Sequence, residues 1–553
     1  MTIAVTVHCN DDDALVAWRP EAWSDDWIGF MVEKRNALTG AVTPLNNRIP
    51  AKVGDAVTPA AGVSSQLSPF RRCLWTDHMI DPSDQLEYRV TPMVGAGDGF
   101  AAAPQGATAW TAPTAPISED PSGLSCFFNR GTLMSQIVSR FVQGDVTDSS
   151  LAKFKIELKD TAFPPRKYLS GHAREALLGF LGGADRRGSQ IYAAVYECDD
   201  EEIIAGIKAF GDRGHYLMGN GDGNLPGLAD ELRGAGLEVH ERDLSHAGRS
   251  SPSVHNKFVL EANAAGDALR VLTGSLNWTT SGLCTQLNNT LTIDRPLIAA
   301  RYLRQWRYLV TAGDDMPGDL MTANAQWLTD NAVSLAFAAT QGQQEFTPVV
   351  AAINEAHEAI LFLMFEPGES PLLTGILQRS AQQNGPFVRG VVSTVVQTKN
   401  GTITRQGSRV VMDGVTQQTD DDVVLPQGVG EADRPTWAYD EFNRNAFLSA
   451  NLHAIVHSKT IVIDPFSDNC VVVTGSHNFS PSASAKNDEN IVVIRGDKDL
   501  ARQYAVHIQG VYDAFRWRAF LDNRGDPNTL YQGLSDWKPN GSRARELNFW
   551  VGG

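Results

Sequence analysis

The feature that most constrains this chain is a pattern that it contains twice, in two distant stretches. Each copy has a His-x-Lys segment, VHNKFVL in the first and VHSKTIV in the second. A Gly-Ser-x-Asn segment follows after a similar interval, GSLN in the first copy and GSHN in the second. From this glycine onward the two copies stay in register. A single His-x-Lys arises readily by chance, whereas two ordered copies indicate two fused copies of one unit.

The repeated positions carry side chains that can act on a phosphate. On a strand, residues two apart point to the same face, so each histidine projects together with its lysine. Imidazole can act as nucleophile or general acid near neutral pH, and ammonium groups hold the phosphate oxygens. The candidate catalytic residues are His255, Lys257, Asn277, His457, Lys459, Asn478 and Glu489. The candidate substrate-binding residues are Ser275, Asn288 and Ser476, with Asp464 as a supporting residue.

Apolar strands and helical segments alternate around both copies. Such alternation predicts a largely parallel sheet covered on both faces. We therefore predict an α/β fold in which two duplicated αβ halves form one bilobal unit. The two histidines should then meet in one pocket across a pseudo-twofold axis.

The beginning of the chain has a different pattern, with short β-rich runs separated by turns. Trp18 and Tyr88 resemble the core tryptophan and the tyrosine corner of a fibronectin type III sandwich. The predicted domains are a small all-β sandwich at 1–112, a linker at 113–125, a first half at 126–320 and a second half at 321–553. A polar insertion at about 398–451 is either a lid over the pocket or a surface insertion.

The two repeated segments resemble the HxK…GSxN motifs of the phospholipase D superfamily, and the second matches HxKxxxxD fully through Asp464. The resemblance covers the chain from about Cys126 to Phe520. It implies phosphodiester cleavage through a covalent phosphohistidine, with no metal and no cofactor, and a second histidine that acts first as acid and then as base. A phrase similar to FFNRG, which contains Arg130, occurs in a bacterial subgroup of this superfamily. Arg130 is interpreted as either a structural ion-pair partner or a phosphate ligand.

The first copy departs from the pattern at Ala262, which stands at the aspartate position, with Glu261 one place earlier on the other strand face. We interpret this loss as altered scaffolding.

The partners of the two histidines are also expected to differ. Glu489 is predicted to accept from His457 and so to support a general acid. Asn288 is predicted to orient His255 as a neutral nucleophile. Tyrosyl-DNA phosphodiesterases show a similar amide and carboxylate split, with the nucleophile in the first half.

Composition limits the alternatives. The formal net charge of −17 disfavours sequence-blind binding of nucleic acid. The chain has no run of eighteen apolar residues, so no transmembrane segment is expected. Its start does not resemble a signal peptide, and we expect a cytoplasmic protein, or a secreted one if a leader has been removed. Six scattered cysteines without a CxxC pair predict reduced, buried thiols and no structural zinc site.

The leading interpretation is phospholipase D-type hydrolysis or transphosphatidylation of phospholipids. An endonuclease or a nucleic-acid end-processing phosphodiesterase is the alternative enzyme, and a basic groove leading into the pocket would favour it. A third interpretation, from the missing first aspartate, is a non-catalytic protein that binds phosphate ligands. The sequence carries no information on oligomeric state.

Overall fold

The structure is a computed structural model. It describes residues 2–47, 63–97, 99–116, 122–131, 138, 141–142, 147–245, 252–394, 403–406, 409–412, 422–425, 455–524, 538–539 and 541–553. The predicted fold class is confirmed, since two large sheets with flanking helices follow a group of small antiparallel sheets.

The small sheets form the N-terminal unit. Its strands are β1 (Ile3–Cys9), β2 (Asp13–Pro20), β3 (Trp27–Asn36), β4 (Val42–Pro44), β5 (Asn46–Asn47), β6 (Val63–Ser64), β7 (Leu74–His78), β8 (Leu86–Ala96) and β9 (Gly99–Ala102). They pair in the orders β1-β2-β7, β4-β3-β8-β9 and β5-β6. Trp18 and Tyr88 are buried in one core cluster, and the Tyr88 hydroxyl donates to Asp77 at 2.9 Å. The resemblance to fibronectin type III and the domain boundaries stay predictions.

The first large sheet contains the first copy of the repeated pattern. Its strands are β10 (Leu124–Phe128), β11 (Gln190–Val195), β12 (Gly214–Met218), β13 (Glu238–Glu241), β14 (Lys257–Ala262), β15 (Ala268–Gly274) and β16 (Asn289–Ile293). They lie in the order β10-β16-β15-β14-β11-β12-β13.

The second large sheet repeats this order. Its strands are β17 (Leu328–Asp330), β18 (Val333–Ala338), β19 (Ala359–Met364), β20 (Phe387–Val392), β21 (Ile403–Gln406), β22 (Arg409–Met412), β23 (Val423–Val424), β24 (Thr460–Ile463), β25 (Val471–Gly475) and β26 (Glu489–Arg495). The order is β17-β18-β26-β25-β24-β19-β20-β23-β22-β21, so β18-β26-β25-β24-β19-β20 matches β10-β16-β15-β14-β11-β12. Strands β21 to β23 come from the predicted insertion, and the rest of that insertion lies outside the described residues.

The expectation of largely parallel sheets is wrong. Among the strands that the structure describes, only the pairs β11-β12, β12-β13, β19-β20 and β20-β23 are parallel. The strands that follow each histidine are antiparallel to their neighbours. The connections from β14 to β15 and from β24 to β25 are too short for a crossover helix, since a parallel pair needs about a dozen or more connecting residues.

The described helices are α1 (Asp148–Glu157), α2 (Pro164–Arg186), α3 (Glu201–Lys208), α4 (Leu228–Gly234), α5 (Thr280–Cys284), α6 (Pro296–Ala312), α7 (Gly318–Asn324), α8 (Thr347–Glu355), α9 (Pro371–Ala381), α10 (Pro481–Lys486), α11 (Lys498–Arg524) and α12 (Gly541–Gly552). The short helices α5 and α10 start at the same place in the two copies. Thr279 caps α5 by accepting from Gly282 N at 2.9 Å, and Ser480 caps α10 by accepting from Ala483 N at 3.1 Å. Such caps satisfy backbone donors at a helix start.

The two halves share the largest apolar core, which includes residues of both large sheets and of α6 and α11. A buried polar network follows the same symmetry. Asn289 donates to the Tyr504 hydroxyl at 3.0 Å, and the Tyr302 hydroxyl donates to Asn490 at 3.1 Å. Each asparagine therefore bonds to a tyrosine of the opposite half, which fixes the relative position of the two copies.

The six cysteines are all free and buried, as expected. Across the described parts of the chain, no helix is both long enough and apolar enough to cross a bilayer.

Buried histidines predict a loss of stability in acid. Burial lowers the pKa of His8 and of His507 to about 4. Below about pH 6.5 these histidines bind protons in the unfolded chain but stay neutral in the folded chain. The free energy of unfolding therefore decreases as the pH is lowered from about 6.5 to about 4. Each histidine contributes a slope of about 1.4 kcal/mol per pH unit within that window.

Urea titrations between pH 7 and pH 4.5 measure this slope. The His507→Gln variant should show a shallower dependence, because it removes one of the titrating rings. An unchanged slope in this variant contradicts the assignment to His507.

Candidate active site

The two repeated histidines face each other where the halves meet. His255 lies two residues before the start of β14, and His457 lies three residues before the start of β24. Their ring centroids lie 6.4 Å apart, and the residues are only 5% and 4% exposed. One small pocket therefore contains both imidazoles.

Each lysine is buried beside the histidine of its own half. Lys257 Nζ donates to the His255 carbonyl at 2.9 Å, and Lys459 Nζ donates to the His457 carbonyl at 2.6 Å. Burial lowers the pKa of Lys257 to about 7, and burial together with the charge of Lys257 lowers the pKa of Lys459 well below its usual value. A bound anion would offset this cost of holding two ammonium groups together.

Each histidine takes its polar partner from the opposite half, so the predicted partners are wrong. His255 Nδ1 lies 3.0 Å from Glu489 Oε1, and His457 Nδ1 lies 2.9 Å from Asn288 Oδ1. The carboxylate therefore serves the first histidine and the amide serves the second.

Backbone contacts across the axis produce this exchange. His457 N donates to the carbonyl of Leu287 at 2.9 Å, so that the next residue, Asn288, lies beside the second histidine. In the other direction Asp488 N donates to the carbonyl of Ser253 at 3.0 Å, which brings Glu489 beside the first. The segment before each histidine thus runs along the partner-bearing segment of the other half.

Burial and charge set the protonation of these groups. Burial, followed by the charge of Lys257, lowers the pKa of His255 to about 4 although Glu489 raises it. Burial and Lys459 lower the pKa of His457 well below its usual value. Burial raises the pKa of Glu489, but the neighbouring His255 and other groups outweigh it and bring the value to about 2. Glu489 is therefore a carboxylate, and both imidazoles are neutral near pH 7.

The two motif asparagines act next to the carboxylates. Asn478 donates its backbone N–H to Glu489 at 2.9 Å. Asn277 donates its side-chain amide to Glu197 at 2.8 Å. Sequence reasoning predicted both asparagines as donors to a phosphate, and the structure shows them as donors to glutamates.

The two motif serines do not face a substrate, and this prediction is corrected. Ser275 Oγ donates to Asn288 Oδ1 at 2.9 Å, and Ser476 Oγ accepts from Asn490 N at 3.0 Å. Both serines are fully buried. Because Asn288 Oδ1 accepts from both Ser275 and His457, Asn288 also positions a ring and is not a substrate ligand.

The motif glycines allow this close packing. A Cβ on Gly274 would lie 2.3 Å from the Asn289 carbonyl oxygen, and one on Gly475 would lie 2.4 Å from that of Asn490. Both glycines also have positive φ, at +147° and +134°. Any other residue would force apart the strands that carry the two histidine partners.

Asp464 has the supporting role expected of it. Its carboxylate accepts from the backbone N–H groups of residues 357–359 at 2.7 to 3.2 Å, just where β19 begins. It therefore holds the start of a strand and contacts neither histidine.

Glu261 does the equivalent work in the first half, where Ala262 replaces the aspartate. Its carboxylate accepts from Ser189 Oγ at 2.7 Å and from Arg187 at 2.7 and 2.8 Å, just before β11 begins. The expected change in scaffolding is thus a replacement of one carboxylate by its neighbour. The doubt that Ala262 raised about the first half has a structural answer.

The second half matches a known family. Residues 349–512 match the family model described as "Cardiolipin synthase, PLD-like domain". This part of the chain therefore matches a phospholipase D-like domain. The resemblance inferred from its repeated motifs is thereby confirmed.

Among solved structures, polyphosphate kinase from Porphyromonas gingivalis is similar at 14% identity and a TM-score of 0.41, covering 68% of this chain and 53% of the kinase. Phosphatidylserine synthase from Haemophilus influenzae Rd KW20 is similar at 12% identity and a TM-score of 0.41, covering 68% of this chain and 93% of that one. Nuc from Salmonella typhimurium, a phospholipase D family member, has 20% identity and a TM-score of 0.19, covering 33% and 95%. No curated protein sequence matches the chain. These likenesses are too distant to carry an argument about substrate.

This phospholipase D-like site contains an aromatic residue and a glutamate in each half that sequence reasoning missed. The Tyr196 ring lies 4.8 Å from the ring of His255, and the Phe365 ring lies 4.9 Å from that of His457. Glu197 and Glu366 follow these aromatics directly. The signal was present in the sequence, because VYE and MFE end corresponding strands of the two copies.

Among the residues that the structure describes, no group of three or more His, Cys, Asp and Glu side chains has the arrangement to hold a metal ion.

Proposed function

We propose that the protein cleaves phosphodiester bonds through a phosphohistidine on His255, with His457 as general acid. The observation that carries the proposal is the pair of imidazoles 6.4 Å apart between two buried lysines. The Nδ1 atom of His255 lies 3.0 Å from the Glu489 carboxylate, and the Nδ1 atom of His457 is hydrogen-bonded to Asn288. Each Nε2 atom is therefore the one left for chemistry.

His255 is the better nucleophile because its partner is charged. When its Nε2 lone pair attacks phosphorus, the P–N bond forms and positive charge develops on the ring. The Glu489 carboxylate, 3.0 Å from the ring and fully buried, stabilises that charge. His255 thus keeps the role predicted from the sequence but for a different physical reason, because the sequence-based reason assumed the opposite pairing of the histidines with Glu489 and Asn288.

His457 is the better acid because its partner is neutral. Its imidazolium, formed when an anionic phosphodiester binds, has only an amide to share the charge, so it gives up its proton readily. That proton goes to the leaving oxygen as the P–O bond breaks. In the second step neutral His457 takes a proton from water, or from an alcohol, whose oxygen attacks phosphorus and breaks the P–N bond.

A phospholipid is the favoured substrate. Acidic residues lie near the lysines. The charges of Glu197 and Glu366 raise the pKa of Lys459 against the effect of burial. The charges of Asp222 and Asp199 in turn raise the pKa of Glu197. A nucleic-acid strand would bring further phosphates towards these carboxylates, whereas a phospholipid presents one phosphodiester. The overall charge of −17 acts in the same direction.

The test compares substrates in the presence of EDTA. The purified protein is incubated with phosphatidylcholine vesicles and, separately, with single- and double-stranded DNA. We expect choline release without DNA nicking, and formation of phosphatidylethanol when ethanol is added. The His255→Ala variant serves as the inactive control.

Three outcomes count against the proposal. DNA nicking without choline release replaces the lipid substrate by nucleic acid. Loss of activity with the chelator contradicts a metal-free reaction. No cleavage of any of these phosphodiesters favours a protein that binds phosphate ligands without catalysis.

A further inference from the structure

Asn129, in the FFNRG segment, is a buried amide outside the repeated motifs. Its Nδ2 atom donates to three carbonyl oxygens, of Gly282 and Leu283 at 2.9 Å and of Gln286 at 2.7 Å. Its Oδ1 atom accepts from the backbone N–H of Asn288 at 2.8 Å. One side chain, 2% exposed, therefore fastens the whole loop from 282 to 288.

That loop ends at the partner of the second histidine. The side-chain amide of Asn288 donates to the Gly282 carbonyl at 2.9 Å, and this is one of the carbonyls to which Asn129 also donates. The Oδ1 atom of Asn288 then faces His457 Nδ1 at 2.9 Å. Movement of the loop would therefore separate the Asn288 amide from the His457 ring. The tautomer and the orientation of that ring would then be less well defined.

The second half fastens its corresponding loop in another way. The strand pairs Phe128 with Asn289 and Phe337 with Asn490 place Ala338 at the position of Asn129. There the Glu345 carboxylate accepts from Ser484 Oγ, and Thr340 N donates to the Ser484 carbonyl at 2.7 Å. The set of hydrogen bonds by which Asn129 fastens the 282–288 loop, here called the Asn129 clamp, therefore has no counterpart at Ala338. It supports the partner of His457 and not the partner of His255.

The N-terminal unit holds Asn129 from both sides. Asp11 accepts from the backbone N–H of Phe128 at 3.1 Å. Asp12 forms an ion pair with Arg130, whose guanidinium also donates to the Tyr168 carbonyl at 3.0 Å. Arg130 is thus a structural ion-pair partner and not a phosphate ligand, which decides between the two interpretations of this residue.

We propose that Asn129 is a positioning residue for His457, acting through Asn288, and that the Asp11–Asp12 turn of the N-terminal unit keeps it in place. This inference rests on the proposed role of His457 as general acid. The Asp11–Asp12 turn then supports the active site, whereas the rest of the N-terminal unit has no part in this contact.

The test uses two phosphatidyl esters that differ only in the leaving group. Choline needs a proton as it leaves, whereas p-nitrophenol leaves without one. In the full-length Asn129→Leu variant we expect kcat on phosphatidylcholine to fall by about ten- to hundredfold, with KM nearly unchanged. The rate on the p-nitrophenyl ester should fall much less, and Asn129→Ser should show the same selectivity more weakly.

A matched control separates positioning from general destabilisation. Asn47 is also buried, and its amide donates to the carbonyls of Ser68 and Pro69 at 3.0 and 3.2 Å, within the N-terminal unit. The Asn47→Leu variant should lose stability to urea without changing the ratio of the two rates. Equal losses on both esters in the Asn129 variants overturn the clamp.

The contribution of the N-terminal unit has its own variant, Asp12→Asn, which should shift the ratio in the same direction. A wild-type ratio in this variant overturns the supporting role of the turn.

A readout without substrate distinguishes this inference from the proposed function. The hydrogen-bonded Nδ1–H proton of His457, assigned by its loss in His457→Ala, should be visible by NMR in the wild type and weakened in Asn129→Leu. A proton unchanged in that variant overturns the clamp, whatever the wild-type enzyme cleaves. A wild-type protein that cleaves neither ester sinks the proposed function instead.

Discussion

The His255→Ala variant is expected to lose phosphodiester cleavage by about 10⁴-fold or more and to form no phosphoenzyme. The variant lacks the ring whose Nε2 atom attacks phosphorus in the proposed reaction. The measurement is acid-quenched labelling with a substrate that carries radioactive phosphorus in its diester, followed by turnover assays.

The His457→Ala variant should behave differently, because it keeps the nucleophile. It should form phosphoenzyme from a p-nitrophenyl ester and hydrolyse it slowly, since the base that activates water is missing. Turnover of phosphatidylcholine should fall by about 10²- to 10⁴-fold. The exposed-edge residue His240, which contacts Glu238 at 2.7 Å, provides the control His240→Ala with unchanged activity. Stable phosphoenzyme on His457 in the His255→Ala variant would reverse the two roles.

The second large effect is expected from Glu489→Gln, which should lower kcat by about 10²- to 10⁴-fold with a smaller change in KM. Glutamine keeps the size of the side chain but removes the charge that stabilises the attacking ring. Because the pKa of Glu489 is about 2, the carboxylate is ionised throughout the range of ordinary assays, and the loss should not depend on pH above about pH 5.

The mirror-image change supplies the control for this prediction. Asn288→Asp places a carboxylate beside His457, 2.9 Å from its Nδ1 atom in the present arrangement, and so makes the acid weaker. It should slow the choline ester more than the p-nitrophenyl ester, whereas Glu489→Gln should slow both. A Glu489→Gln enzyme with the wild-type kcat would contradict the proposed stabilisation of His255.

The sequence was sufficient to predict the duplication, the α/β class and the meeting of His255 with His457. These depend on patterns within each copy, namely strand alternation and the spacing of the repeated residues. It also predicted Asp464 as a support, since a short motif places that carboxylate at a fixed distance from its histidine.

The partners of the histidines could not be predicted in the same way. Whether Glu489 serves His255 or His457 depends on how the two copies meet, and the contact of Leu287 with His457 is not visible within either copy. Likewise, a serine in a motif does not reveal whether its hydroxyl faces a pocket or an amide such as Asn288. The residue types indicate which groups can act on a phosphate, whereas the packing of the two copies determines which partner each histidine has.

Because each histidine takes its partner from the opposite half, neither half alone can contain a complete histidine–partner pair. A lone half contains one imidazole and one partner, Glu489 or Asn288, but the two belong to different pairs. Two halves must therefore assemble before either ring is supported, and the present chain is in effect a covalently fused dimer whose subunits have become specialised. Two substitutions in opposite halves should consequently have non-additive effects on activity when both affect the same ring, as with His255 and Glu489. They should have additive effects when they affect different rings.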